Sequence, residues 1–135
     1  MRLMFHPRAL RPHILNWEPT AASMIQWLHR DVVSGFGGAP SRALLEELLA
    51  YPGVPRQWRT LDVEASTAPF LPIEFQKGDL TLRYFITLTS LGTPHDITLQ
   101  EQRVESFFPA DDATEKISRA RARLSPFPRL PTMGV

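Results

Sequence analysis

"TLRYFITLTSLGTPHDITLQEQRVESFFPADD", residues 81–112, decides the fold of this 135-residue chain. Leu82, Tyr84, Ile86 and Leu88 alternate with Thr81, Arg83, Phe85, Thr87 and Thr89. Apolar residues at period 2, with many threonines and aromatics, predict a half-buried strand. "SLGTPHD" (90–96) reads as a turn. A second strand is expected over 97–108, and Pro109 stops it. Its pattern is less clean: Thr98, Gln100, Gln102, Val104, Ser106 and Phe108 share one parity, Ile97, Leu99, Glu101, Arg103, Glu105 and Phe107 the other. The even set is taken as the inner face. "DDATEKISRARARL" (111–124) then reads as a helix, with Asp112 and Glu115 at capping-box spacing.

Working outward, Leu71, Ile73 and Phe75 alternate with Pro72, Glu74 and Gln76, and "QKGD" (76–79) turns that strand into the next. Upstream the period changes to helical. In "NWEPTAASMIQWLHRDVV" (16–33), Trp17, Ala21, Met24, Ile25, Leu28 and Val32 form a stripe at i, i+4, i+7, i+8, i+11 and i+15. Asn16 is the expected N-cap, and Pro19 falls in the first turn, where its missing N–H costs little. Ser41 is expected to cap "SRALLEELLAY" (41–51), with Leu44, Leu45, Leu48 and Leu49 on one face. A short turn is expected at "VPRQWR" (54–59), and Pro7 and Pro12 break residues 2–14 into short turns. The fold class is therefore α+β: a three-stranded antiparallel sheet with helices packed on one face. One sheet edge is left open. Residues 1–124 read as one domain, and 125–135, "SPFPRLPTMGV", as a flexible proline-rich tail.

Totals narrow the function classes. Fifteen Lys and Arg against fourteen Asp and Glu leave a net charge of +1, too balanced for a nucleic-acid binder that relies on global charge. The absence of cysteine removes disulfides, thiol nucleophiles and thiolate metal sites. No apolar run approaches the roughly 18 residues of a membrane span, and "MRLMFHPRAL" lacks a signal-peptide core, so a cytoplasmic protein is expected.

Candidate chemistry is sparse. The four histidines, at 6, 13, 29 and 95, show neither HxH nor HExxH spacing, so no metal site is expected. His95–Asp96 sits in a turn that explains its Asp. "GFGG" (35–38) follows a helix, not a strand, and reads as a helix end instead of a phosphate loop. Glu101, Arg103 and Glu105 read as a solvated strand face, and Arg119, Arg121 and Arg123 as a solvated helix end. No GxSxG is present. No catalytic residue and no cofactor is expected, and the chain reads as a non-enzyme. Gln100 and Gln102 stand apart: amides on a core face must find partners. Either they bond each other and the backbone, or they line a wet or liganded cavity.

Three stretches carry a family resemblance. "RLMFHPRALRPHILNWEPTAASMIQWLHR" (2–30) resembles the middle of the ligand-binding domain of MmyB-like transcription regulators. "LLEELLAYPGVPRQWR" (44–59) is similar to its next helix and tryptophan-bearing turn, and "LGTPHDITLQEQRVESFFPADDAT" (91–114) to its last strand and terminal helix. The resemblance spans roughly residues 2–120. It implies a PAS-like sensor that follows a helix-turn-helix, binds DNA only through that domain, and takes fatty-acid-like ligands between sheet and helices. The part matching Leu3 lies well inside such a regulator, so the DNA-binding helices and the first strands of the sheet are expected to be missing from these residues.

The ligand wall this implies is Leu82, Tyr84, Ile86, Leu88, Gln102, Val104 and Phe108 on the sheet, facing Trp17, Met24, Ile25, Leu28, Leu45, Leu48 and Trp58 on the helices. Gln102 stands where the family pattern leads one to expect an apolar residue, which would favour a more polar ligand. A homodimer through the open edge of the last strand is also expected. The competing class is a ligand-free interaction module.

Overall fold

The computed structural model describes residues 1–35, 38–64, 68–91 and 102–124, with backbone alone for 90, 91, 102, 103 and 124. Pro7 and Pro12 confine the N-terminal segment to a single helical turn, α1 (Arg2–Phe5), and a 3-10 turn at Arg11–His13. Two longer helices follow, α2 (Trp17–Val33) and α3 (Gly38–Leu49), then a 3-10 turn at Arg56–Arg59. The sheet consists of β1 (Leu71–Lys77), β2 (Leu80–Leu91) and β3 (Gln102–Pro109), and α4 (Asp112–Leu124) closes the described chain. Strand order is β1-β2-β3, both pairings antiparallel. The α+β class with a three-stranded antiparallel sheet is thus observed, in keeping with a PAS-like domain.

Helical period buries one face of α2: Thr20, Ala21, Met24, Ile25 and Leu28. These meet Leu45, Leu48 and Leu49 of α3 and Leu71, Ile73 and Ile86 of the sheet in one continuous core, joined by Met4, Phe5, Ile14 and Trp58. Register fixes which strand residues join them. Ile73 lies opposite Tyr84, and Leu71 opposite Ile86, so the even positions of β2 face the helices. Tyr84 in turn lies opposite Pro109, Ile86 opposite Phe107 and Leu88 opposite Glu105. The odd positions of β3 therefore share the inner face.

This corrects the expected wall. Val104 and Phe108 lie opposite Thr89 and Phe85 on the outer face, where Phe85 and Phe108 stack at 5.1 Å. Gln102 stands opposite Leu91 in the same register. The pattern of β3 misled because Val104, Phe107 and Phe108 put apolar residues in both parities. Consecutive phenylalanines read equally well in either frame. The strand spans 102–109; the rest of the predicted 97–108 strand lies outside the described residues, as do Gln100, the His95–Asp96 turn and the 125–135 tail.

Of three capping expectations, one holds in position and two change. Asn16 is the N-cap residue of α2, but its side chain makes no cap bond. Its Nδ2 donates to the Pro72 carbonyl at 3.0 Å and its Oδ1 accepts from the Glu74 N–H at 2.9 Å. The amide thus acts as a strand neighbour to β1, helped by the Leu15 N–H on the Glu74 carbonyl at 2.8 Å and the Thr20 hydroxyl on the Pro72 carbonyl at 3.0 Å. This closes the outer edge of β1, and Pro72 costs no ladder bond there. Ser41 sits inside α3, its hydroxyl donating to Asp31 Oδ2 at 2.7 Å. The cap of α4 is Asp111, one residue earlier than expected: its Oδ1 accepts the Thr114 N–H at 2.7 Å. That backbone bond, then the Thr114 side chain, then Arg83, hold the Asp111 carboxyl below the usual range, although partial burial opposes them.

α4 is tied to the sheet where β3 stops. The Ala110 N–H bonds the Arg83 carbonyl at 2.9 Å, and the Arg83 N–H bonds Thr114 Oγ1 at 3.0 Å. Both groups of Arg83 on the β3 side are thereby satisfied.

Candidate functional site

Between helices and sheet, the described residues form a packed core. Met24, Ile25, Leu28, Leu45, Leu48, Trp58 and Ile86 pack against one another in the buried core. Trp17 is half-buried. Its ring lies 5.7 Å from Trp58, its Nε1 donates to the Met4 carbonyl at 2.9 Å, and the Arg11 guanidinium sits 3.7 Å above it. Tyr84 packs against this core between Phe75 and Phe107, each 6.2 Å away and edge-on. Its hydroxyl lies 2.8 Å from Ser118 Oγ. The Ser118 proton is already committed to the Thr114 carbonyl at 2.7 Å, so the tyrosine is the donor. Tyr84 is satisfied by α4.

Three openings lined by described residues lie around this core. The first lies between the N-terminal turns and the β1–β2 hairpin. It has a volume of about 400 Å³ and is lined by Ala9, Leu10, His13, Phe75, Gln76, Lys77, Leu80 and Leu82. Local sequence builds it. Gly78 and Asp79 make a two-residue turn between the paired residues Lys77 and Leu80. Gly78 has φ +60° and Asp79 has no positive φ, which gives a type II′ turn. That turn puts Leu80 and Leu82 back beside Phe75. On the other side, the Ala9 N–H on His6 O and the Leu10 N–H on Leu3 O fold the proline-broken segment over the hairpin. The walls are five apolar side chains. The polar members are His13, Gln76 and Lys77, with no acid among them.

The second opening, about 440 Å³, lies between the end of α2 and the start of β1. Its lining is Trp27, Arg30, Asp31, Ser34, Ala68, Pro69 and Leu88. It is more mixed, with a cation and an anion side by side. A third, between the ends of α2 and α3, is lined by small and charged residues such as Gly35, Ala39, Arg42 and Glu46. Among the described residues, no group of three or more His, Asp or Glu could hold a metal.

Of the residues predicted for a ligand wall, the structure thus brings Leu82 to the first opening and Leu88 to the second. Seven are in the core. Leu10, Phe75 and Leu80 were not anticipated. Phe75 was legible, since it shares parity with Leu71 and Ile73. Leu80 was legible too, since it opens β2 in the parity of Leu82 and Tyr84, whereas Leu10 falls in a turn, where periodicity carries no signal.

A family model for the MmyB-like transcription regulator ligand binding domain matches residues 1–120. The chain belongs to that family. No curated protein and no solved structure matches it. As an MmyB-like ligand-binding domain, it belongs with transcription regulators, not with an enzyme class, and its expected business is a small molecule. Among its described residues no helix is long and apolar enough to cross a membrane.

Proposed function

We propose that this MmyB-like domain is the ligand-sensing part of a cytoplasmic helix-turn-helix regulator, and that it takes a small fatty-acid-like ligand in the opening under the β1–β2 hairpin. The domain works as a homodimer and reaches DNA only through the helix-turn-helix. The observation that carries the site is the lining: Leu10, Phe75, Leu80 and Leu82 form an apolar trough, with His13 and Lys77 on its rim. A volume of about 400 Å³ falls within the ordinary range of small-molecule sites. Each methylene buried there contributes about 0.8 kcal/mol, and the Lys77 ammonium attracts an anionic head. Sensing then proceeds by population shift between two placements of the N-terminal turns over the hairpin.

The filled centre of the core favours a second reading, a ligand-free interaction module. Titration with a dansyl-labelled medium-chain fatty acid separates the two. Leu82→Trp fills the hairpin opening and is expected to weaken binding roughly tenfold or more. Leu88→Trp, at the other end of the core, is expected to leave it within about twofold. The reverse pattern would move the ligand to the opening beside Trp27. No saturable binding by the unmodified protein would leave the interaction module.

A further inference from the structure

The opening under the hairpin has a closed end. Its floor is the inner face of β1 and β2, where residues pair in rows across the two strands. Lys77 and Leu80 make the row nearest the turn, and Phe75 and Leu82 the next. All four line the opening. The third row, Ile73 and Tyr84, does not. Ile73 is fully buried, and the Tyr84 hydroxyl is held by Ser118. Phe75 stands between the opening and this row. One side of its ring faces the opening, and the other meets Tyr84 edge-on at 6.2 Å. The N-terminal segment comes down to the sheet at the same point. Buried Ile14 bridges to Phe75, and the Leu15 N–H bonds the Glu74 carbonyl at 2.8 Å. On the N-terminal side of Ile14, the cover over the opening is Ala9, Leu10 and His13. Floor and cover therefore meet at Phe75 and part toward the hairpin, where Lys77 is exposed.

We infer that Phe75 is the end wall of this trough and sets the length of the chain it accepts. The inference rests on the fatty-acid reading above and adds its specificity, for saturated acids of medium length. Such an acid holds its carboxylate at Lys77, at the mouth, and points its tail at Phe75. Rows on one face of a strand are two residues, about 6.8 Å, apart. The two rows of floor span one to two such spacings, or about 7–14 Å. An extended chain advances roughly 1.2 Å per bond, since three backbone bonds cover about 3.3–3.6 Å. The trough thus takes about six to twelve carbons. Within that length each added methylene leaves water and tightens binding about fourfold. Beyond it the tail meets a ring that cannot retreat, because Tyr84 and Ile73 fill the space behind. Further methylenes then stay in water at the mouth. Affinity climbs with chain length and levels off.

A different side chain at position 75 moves the point of levelling. Phe75→Val keeps a strand-forming residue and removes the ring. The tail then reaches toward Tyr84, and the plateau shifts by roughly four carbons to longer chains. Phe75→Trp fills the trough from its closed end, and the plateau shifts by about two carbons to shorter ones. Leu80→Ala, in the mouth row, weakens every acid by a similar factor and leaves the plateau in place. The measurement is competition of even-numbered saturated fatty acids, hexanoic to hexadecanoic, against the dansyl-labelled acid, on each protein that shows cooperative urea unfolding. The two Phe75 variants shift in opposite directions, so either one alone decides. The unmodified protein is expected to level off by about twelve carbons. Affinity that still rises about fourfold per methylene through hexadecanoic acid, or a plateau that stays put in a folded Phe75 variant, would overturn the end wall and leave the ligand site. A plateau that moves as much in Leu80→Ala would overturn it too. No saturable binding at any length would overturn both the end wall and the fatty-acid reading.

Discussion

Phe5→Ala is expected to destabilise the domain by about 3–5 kcal/mol, the cost of emptying a fully packed phenylalanine site. Phe5 lies in a helix of four residues. A helix that short has no stability of its own. It is held by docking: Phe5 is 0% exposed, its ring sits edge-on to Trp17 at 6.0 Å, and the Trp17 indole N–H bonds the Met4 carbonyl. Removing the ring forfeits burial and leaves a cavity beneath Trp17. Total stabilities of small domains are about 5–15 kcal/mol, so the loss is about a fifth of that or more. Leu3→Ala, two residues away and 63% exposed, is expected to fall within about 0.5 kcal/mol of the parent. Urea unfolding of the three proteins measures both. A Phe5→Ala protein within 1 kcal/mol or so of the parent would mean that the N-terminal turn is not part of the core in solution.

The second large effect is at Gly53. Its φ is +74°, a region where a side chain costs about 1–2 kcal/mol. A Cβ there would also lie 2.9 Å from an Arg11 guanidinium nitrogen. Arg11 donates to the Pro52 and Gly53 carbonyls and covers the Trp17 ring. It fastens the N-terminal turns to the loop after α3. Gly53→Ala therefore strains the backbone and also pushes away this clamp, and a total of about 2–4 kcal/mol is expected. Gly78→Ala is the comparison: φ is +60°, but nothing lies within 4 Å of its added Cβ, so only the strain of about 1–2 kcal/mol applies. In an Arg11→Ala background the cost of Gly53→Ala should fall to that same strain. Equal costs in both backgrounds would show that Arg11 and Gly53 are not coupled.

The parts of the fold with a strong period were legible. The α2 stripe from Trp17 to Val32 and the β2 alternation from Leu82 to Leu88 each admit one reading, and the structure buries Met24, Ile25, Leu28 and Ile86 as those patterns require. β3 was not legible to the same degree. Val104, Phe107 and Phe108 fit either face, and only its pairing with β2 decides between them. Cap bonds were misjudged for a related reason. Asn16 and Ser41 are residue types that bond whichever polar group lies nearest. For Asn16 that group belongs to β1, 56 residues away in sequence. The opening under the hairpin was legible only in part. Phe75, Leu80 and Leu82 belong to alternating strands, but Leu10 reaches it through turn geometry that no periodicity encodes.

The central claim, that the domain carries a small apolar ligand beneath the β1–β2 hairpin, is tested most directly by native mass spectrometry of the protein as purified, beside the Leu82→Trp variant. The expected result is a population carrying a bound species of fatty-acid mass, released on denaturation and absent from the Leu82→Trp protein. Only bare chain in both samples, even after incubation with medium-chain fatty acids, or equal occupancy in both, would contradict it.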